Sequence, residues 1–430
     1  MRLFHIADLH LGKTLHAWDL LEDQAFILDG IVAKIGEMKP EVLLVAGDIY
    51  DRAIPPVEAI RLFDHFLGAA RQAAPGLQIV VVPGNHDSAG RLSFGASLLA
   101  DSGLHIAARV AMTRTSVMPT VARQTAARPV LDAVAGEAGE GKERFAIWAL
   151  PFLTQSSAEW EELDEVGSGP AIRSQQEMMR LAIRAIRRAM DPGVTNILIA
   201  HCFTSGAFAG DSELAFVGAA EQVDVTLFDG FDYVALGHLH SRQSPAPRVW
   251  YSGAPLAYSM PDASREAGQG FMAVDVAMGG VPRVEFVPLV PKRRLRKLSG
   301  LFDELLAKPL PEDERDDFIE VHILDEEAVL NAAERLRVIY PHLLGATQQA
   351  FELRWGAAGA ESGFAGALGA GSAGMEALRR ARGAGNAVDR VDTAKSDFLA
   401  FYGEMMGQAP GEAMERLFES MAREASDASD

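Results

Sequence analysis

"FHIADLHLG", residues 4–12, is the stretch on which the reading of the fold turns. The chain up to Ala7 is short and apolar, as a buried strand should be. It stops abruptly at Asp8 and His10, one residue apart. In isolation an Asp-x-His after a strand is more often a turn or a cap than a ligand pair. The stretch gains meaning only if other strands end in the same way.

Four others do. "EVLLVA" (41–46) runs into "GDIYDR" and delivers Asp48. "QIVVV" (78–82) runs into "PGNHD" and delivers Asn85 and His86. "NILIA" (196–200) is followed by His201, and "DYVALG" (232–237) by "HLH", which gives His238 and His240. All five apolar runs thus deliver a potential metal ligand at the C-terminal end, the side of an open α/β sheet where ligands bind. The joint pattern is hard to obtain by chance, although "GNHD" or "GHLH" alone would be an ordinary turn or loop. A glycine precedes Asp48, Asn85 and His238, where it lets the backbone turn sharply. If the strands stay extended, the i, i+2 pairs project to one side.

Between the strands, residues 22–38 and 57–72 carry apolar residues at i, i+3, i+4 and read as amphipathic helices. Strands alternating with helices indicate βαβ units and a largely central sheet. Residues 145–151 read as one more strand. "VWYSG" (249–253), "GFMAVDVA" (270–277) and "RVEFVPL" (283–289) lie close together and suggest an antiparallel extension. After about residue 290 the pattern shifts to a small module of two helices and two or three strands, with "RLRKLSGLFDELLA" expected to contribute a helix. Fourteen of the nineteen residues in 356–374 are Gly or Ala, which reads as a flexible linker. Residues 396–425 read as helical, with Ser396 as N-cap and Phe398, Leu399, Phe401, Tyr402, Met405 and Met406 crowding one side. Such a face needs something to dock on.

The chain has 430 residues, enough for two or three domains. It carries 48% hydrophobic and 23% charged residues, ordinary for a globular protein. No apolar run is long enough to cross a bilayer, and Asp8 breaks the N-terminal run, so no secretion signal is expected. One cysteine, Cys202, excludes an internal disulfide. A cytoplasmic location is the default expectation. The net charge of −19 argues against indiscriminate nucleic-acid binding, but divalent cations would change the sign locally.

The residue types fit two divalent cations about 3.5–4 Å apart, the clamp used in phosphoryl transfer. Asp, Asn and His donors suit Mn²⁺, Fe²⁺ or Zn²⁺, and the absence of thiolates disfavours a structural zinc site. Of the other histidines, His5 lies on the opposite strand face, His65 is inside a helix, and His105, His322 and His342 have no ligand-like company. His16 follows the first motif and is a candidate for substrate contact, as is Arg52, unless Asp51 pairs with it. The basic string "KRRLRK" (292–297) could touch backbone phosphates or be a solvated charge run. The helical stripe Arg180, Arg184, Arg188 reads as a solvent face.

The ordered set D-x-H, GD, GNHD, H, GH-x-H resembles the calcineurin-like metallophosphoesterase superfamily. Within it, "MRLFHIADLHLGKTLH", "AGDIYDRAIPP", "VVPGNHDS", "DYVALGHLH" and "WYSGAPLAYS" are similar to bacterial nuclease subunits of the SbcD type, over roughly residues 1–350. The linker is richer in Gly and Ala than in that family. The resemblance implies an α/β fold: a metallophosphoesterase β-sandwich flanked by helices, with a small α+β capping domain and a helical C-terminal tail. The expected divisions are 1–288 for the nuclease domain, 289–355 for the capping domain, 356–392 for the linker and 393–430 for a tail that docks on a partner ATPase. It further implies that Asp8, His10 and His240 hold one metal, that Asn85, His201 and His238 hold the other, that Asp48 bridges, and that His86 faces the scissile phosphate. Manganese is the expected metal. The implied activity is cleavage of DNA in repair, recombination and replication: ATP-dependent double-strand exonuclease and single-strand or hairpin endonuclease. The implied partners are DNA and an SbcC-like coiled-coil ATPase, in a heterotetramer built on a homodimer whose interface uses residues 57–72 and 91–103. No membrane is involved, and the site of work is the nucleoid. A phosphatase acting on small phosphodiesters or phosphoproteins is the alternative, since metals and fold do not choose the substrate.

Overall fold

The computed structural model describes residues 1–110, 133–138, 143–158, 174–208, 222–264, 268–327 and 329–348. The predicted linker and helical tail, and the strand expected at "QAFELRW" (349–355), lie outside these residues. Met1–Thr347 forms one compact unit.

The strands are, in chain order, β1 (Arg2–Ile6), β2 (Thr14–Leu15), β3 (Trp18–Asp19), β4 (Val42–Ala46), β5 (Gln78–Val82), β6 (Leu104–Ile106), β7 (Ala133–Ala138), β8 (Glu143–Leu150), β9 (Thr195–His201), β10 (Tyr233–Gly237), β11 (Gln243–Ala246), β12 (Val249–Tyr251), β13 (Gly270–Asp275), β14 (Arg283–Pro288), β15 (Leu295–Gly300), β16 (Phe318–Ile323) and β17 (Leu343–Gln348). The long helices are α1 (Leu21–Met38), α2 (Val57–Ala73) and α3 (Gln175–Ala189).

There is not one central sheet but two, each of six strands. Their orders are β14-β13-β1-β4-β5-β6 and β11-β12-β10-β9-β8-β7. β1, β4, β5 and β6 run parallel, as do β8, β9, β10 and β12. Antiparallel strands close one edge of the first sheet and both edges of the second. Parallel strands must be covered on both faces, and alternation along each strand shows how. Val42 and Leu44 point inward, where they meet Leu3, Val80, Ile197, Ile199 and Tyr233 in the layer between the sheets. Leu43 and Val45 point outward with Phe4 and Ile79, under Ile27 and Ile31 of α1 and Phe63 and Phe66 of α2. On the second sheet, Leu198, Val234 and Leu236 face Met179, Ile183 and Ile186 of α3. A capping box of Ser174 and Glu177 starts α3. Its Arg180, Arg184 and Arg188 are exposed, as the stripe predicts.

One sequence expectation is corrected and another is refined. "VWYSG" does not join the antiparallel extension: β12 pairs parallel with β10 in the second sheet, while β13 and β14 extend the first. The segment between β12 and β13 carries the chain from one sheet to the other. "RLRKLSGLFDELLA" does contribute a helix, at Phe302–Ala307, but its first part is a strand: β15 pairs parallel with β16 in a three-stranded sheet whose own core holds Phe302, Ile319, Val321, Leu336 and Tyr340.

Three of the five basic residues of the string are taken up in ion pairs, while Arg294 and Lys297 are exposed. Arg293 pairs with Glu22 and Asp23 at 2.8 Å each and with Asp316 at 3.1 Å. Arg296 pairs with Asp317 at 2.5 Å and Glu314 at 3.1 Å, and Lys292 pairs with Glu22. These ion pairs pin the three-stranded module to the first turn of α1.

Candidate metal centre

Three of the five ligand-bearing strand ends belong to the first sheet and two to the second. The site therefore lies across the edge of the sandwich. β1 ends at Ile6, so Asp8 and His10 lie in a loop. That loop is paired with the one after β4: Asp8 N–H donates to the Gly47 carbonyl at 3.0 Å, His10 N–H to Asp48 at 2.9 Å and Leu11 N–H to Ile49 at 2.8 Å. Asp8 (φ 56°), His10 (φ 43°), Asp48 (φ 49°) and His238 (φ 104°) all have left-handed backbones. Non-glycine residues rarely adopt these values, and such strain clusters at functional sites. The common direction of Asp8 and His10 thus comes from a strained loop, not from the pleat of an extended strand.

The glycines also need a different account. Gly47 has φ +86° and makes the expected turn. Gly84 and Gly237 do not have positive φ; they are needed because backbone passes too close. A Cβ at Gly84 would sit inside the Asp48 carboxylate, and one at Gly237 would overlap the Ala46 carbonyl.

Asp48 is at the centre of what results. Its Oδ2 lies 3.4 Å from His201 Nε2 and 3.8 Å from His10 Nε2, and its Oδ1 accepts the His86 N–H at 2.9 Å. Two groups of donor atoms form around it, His10–Asp48–His86 and Asp48–His201–His238, each spanning no more than 4.8 Å. Asn85 Oδ1 joins the second group, 3.0 Å from His201 Nε2 and 2.9 Å from His238 Nδ1. His240 Nε2 joins the first, 3.1 Å from His10 Nε2. Six of the seven predicted ligands are thus brought together, with His86 among them, and Asp8 lies next to them through the His238 N–H.

The electrostatics ask for cations. Asp8 is fully buried; its Oδ1 accepts the His238 N–H at 2.9 Å, while its Oδ2 has no hydrogen-bond partner. Burial pushes the Asp8 carboxyl up to about 7. Burial also opposes ionisation of Asp48, but His201, His10 and His86 overcome it and hold that carboxyl below its usual range. Burial opposes a charge on His201, yet Asp48 and Asp8 raise it to about 9. Burial and the His201 charge push His238 down to about 3. His201 Nδ1–H donates to the Ala46 carbonyl at 2.8 Å, leaving Nε2 as its ligand atom. An unpartnered buried carboxylate oxygen, a shared aspartate and a mixed N/O donor set fit a pair of divalent metals.

His86 Nδ1 is fixed by the Asp51 carbonyl at 2.9 Å. Arg52 and His16 are both exposed, His16 in the turn of the β2–β3 hairpin, and neither lines the cleft. Asp51 pairs not with Arg52 but with Lys13, at 2.7 Å.

Sequence reading passed over several residues that hold the site. Asp87 accepts from the N–H groups of Gly84 (2.9 Å), Ile49 (3.0 Å) and Tyr50 (2.9 Å), locking the two central loops together. Gln24 of α1 is buried; its Nε2 donates to the carbonyls of His10 (2.7 Å) and Leu9 (3.3 Å), and its Oε1 accepts from Gly12 N–H at 3.0 Å. The Tyr258 hydroxyl also donates to Leu9. Gln24 was detectable in principle: it occupies the apolar stripe of α1 with Ile27, Leu28 and Ile31, where an amide needs partners.

Residues 1–242 match the family model of the calcineurin-like phosphoesterases. Residues 291–362 match the SbcD C-terminal model, described as the type 5 capsule protein repressor C-terminal domain. Among solved structures, the chain is similar to TT1561 of Thermus thermophilus, at 11% identity and a TM-score of 0.35, covering 65% of this chain and 98% of that one. It is also similar to a dimetal phosphatase from Danio rerio, at 11% identity and a TM-score of 0.35, covering 66% of this chain and 98% of that one.

Proposed function

The chain belongs to the calcineurin-like phosphoesterase family, whose members are metal-dependent phosphoesterases, and from that premise we propose that it is the nuclease subunit of an SbcCD-like complex. The observation that carries this reading is the coupling, in one compact unit, of the two-cluster site to a module that matches the SbcD C-terminal family. No helix among the described residues is long and apolar enough to cross a membrane.

Asp8, His10 and His240 would hold one divalent cation, Asn85, His201 and His238 the other, with Asp48 between them, and manganese is the proposed metal. When bound, the pair would supply an activated water and neutralise charge on the phosphoryl group. The chain's own groups do the rest. Asp48 keeps both clusters in register through contacts to His10 and His201. His86, with Nδ1 tied to Asp51, turns Nε2 towards the cleft it helps to line. From there it donates to the phosphoryl oxygen or protonates the departing sugar oxygen.

The three-stranded module is read as a cap that selects DNA, and the tail as the docking element for an SbcC-like ATPase. Ile54, Val57 and Ile60 near the start of α2, and Phe94 and Leu98, are exposed apolar side chains in or next to the segments 57–72 and 91–103. A second copy of the chain would cover them, giving a homodimer and, with the ATPase, a heterotetramer working in the cytoplasm. Purified chain with Mn²⁺ is expected to degrade linear duplex DNA, and the ATPase to make this ATP-dependent. Hydrolysis of small phosphodiesters alone, with no attack on DNA in the presence or absence of the ATPase, would refute the nuclease reading.

A further inference from the structure

Among the residues that line the cleft, Lys13 is the one lysine or arginine. It is not needed to hold a metal. The chain goes to some trouble to place it. Gly12 has φ +83° and packs so tightly that a Cβ would meet Pro56 Cδ at 3.0 Å and Ala59 at 3.2 Å. Lys13 N–H then donates back to the His10 carbonyl at 3.1 Å, closing a turn on the ligand loop. The side chain is largely covered, with 26% of its surface exposed, and its Nζ lies 2.7 Å from Asp51 Oδ1. The Tyr258 ring lies below, 5.7 Å from Nζ.

Asp51 therefore orients two groups at once. Its carboxylate holds Lys13 and its backbone carbonyl holds His86 Nδ1. An ammonium has three N–H donors; one goes to Asp51, and the others are available to an anion in the cleft. A lysine already held by an ion pair loses less rotamer freedom when it binds. The other basic candidates from the sequence are differently placed: Arg52 is exposed and does not line the cleft, and Arg293 and Arg296 are spent on carboxylates.

Resting on the phosphoesterase reading above, we propose that Lys13 binds a non-bridging oxygen of the scissile phosphate in the cleft that His86 also lines. Lys13 is then a substrate-binding residue, and Asp51 the residue that positions it.

The test compares wild-type chain with Lys13→Gln and Lys13→Arg, using Mn²⁺, on linear duplex DNA and on bis-p-nitrophenyl phosphate. A charge-assisted hydrogen bond of ordinary strength predicts that Lys13→Gln lowers kcat/KM about 10- to 100-fold on both substrates. Lys13→Arg keeps most of the activity. On DNA, the log–log dependence of kcat/KM on salt becomes shallower by about one for the uncharged variant. Bound metal and thermal midpoint stay at wild-type values, which a structural role would not allow. Lys13→Met keeps the aliphatic stem and serves as a second uncharged variant should Lys13→Gln fold poorly. Wild-type kcat/KM in an uncharged variant, a loss confined to DNA, or a loss that tracks lost metal would each overturn the assignment. A chain that cleaves the small diester but never DNA would refute the nuclease reading while leaving Lys13 decided by the diester.

Discussion

Replacing His5 with glutamine tests how strongly burial between the two sheets holds the ring neutral. His5 is completely buried, with Nδ1 2.9 Å from the Tyr233 hydroxyl and Nε2 3.1 Å from the Leu236 carbonyl. A carbonyl only accepts, so Nε2 carries the proton and Nδ1 accepts from Tyr233. The neutral ring is satisfied, and a second proton would put a charge on a fully buried ring with no carboxylate partner among its hydrogen bonds. Burial accordingly lowers His5 from its ordinary 6.5 to about 3, against a small upward pull from Leu236. The unfolded chain takes up a proton below about 6.5 and the folded chain only near 3. Stability is therefore full above 6.5 and is lost as pH falls towards 3. The gap is worth roughly 4–5 kcal/mol at full extent, of which about 2 kcal/mol is lost between pH 8 and pH 5. Glutamine offers a donor and an acceptor but does not titrate. Urea unfolding in EDTA at pH 8 and pH 5 measures the effect. The variant is expected to gain about 2 kcal/mol relative to wild type on going to pH 5. A difference between the two proteins that does not change with pH would show that His5 is charged or solvated in the folded state.

His86→Ala should retain wild-type metal content by elemental analysis while kcat falls about 10²- to 10⁴-fold; stoichiometric loss of metal would make His86 a ligand. Gln24→Ala should weaken metal binding about 10- to 100-fold by titration calorimetry, with activity recovering at high Mn²⁺; unchanged affinity would mean that the loop holds itself. Deleting residues 390–430 should abolish co-purification with the ATPase and leave metal-dependent cleavage intact.

The strand-end pattern was legible because each ligand follows its own apolar run within a few residues, and such runs are local. What was not legible is long-range. The apolar runs of Leu43 and Leu198 look alike in sequence, yet one packs under α1 and α2 and the other under α3. Continuous burial on both faces removes the period-two pattern that would assign strands to sheets. β12 was misplaced for the same reason: three residues, Val249–Tyr251, carry no mark of their neighbour. The direction of Asp8 and His10 was inferred from an extended backbone that ends before either residue. The fate of Lys292 and Arg293 depends on acids some 270 positions away, Glu22 and Asp23.

Those acids give the molecule a mechanical feature that no local reading could contain. Glu22 and Asp23, in the first turn of α1, receive Arg293 from the start of the three-stranded module. Gln24 is the next residue, and it grips the carbonyl of His10 and the N–H of Gly12. A buried ion pair is costly to open one partner at a time, and Asp23 is buried. A displacement of the module must therefore either break the Arg293 pairs or carry the first turn of α1 with it. If the turn moves, Gln24 moves, and with it the loop that aims both His10 and Lys13 into the cleft. His10 itself sits in a left-handed conformation that few side chains adopt. The attachment of the module and one hold on the metal loop thus meet in three consecutive residues, Glu22, Asp23 and Gln24.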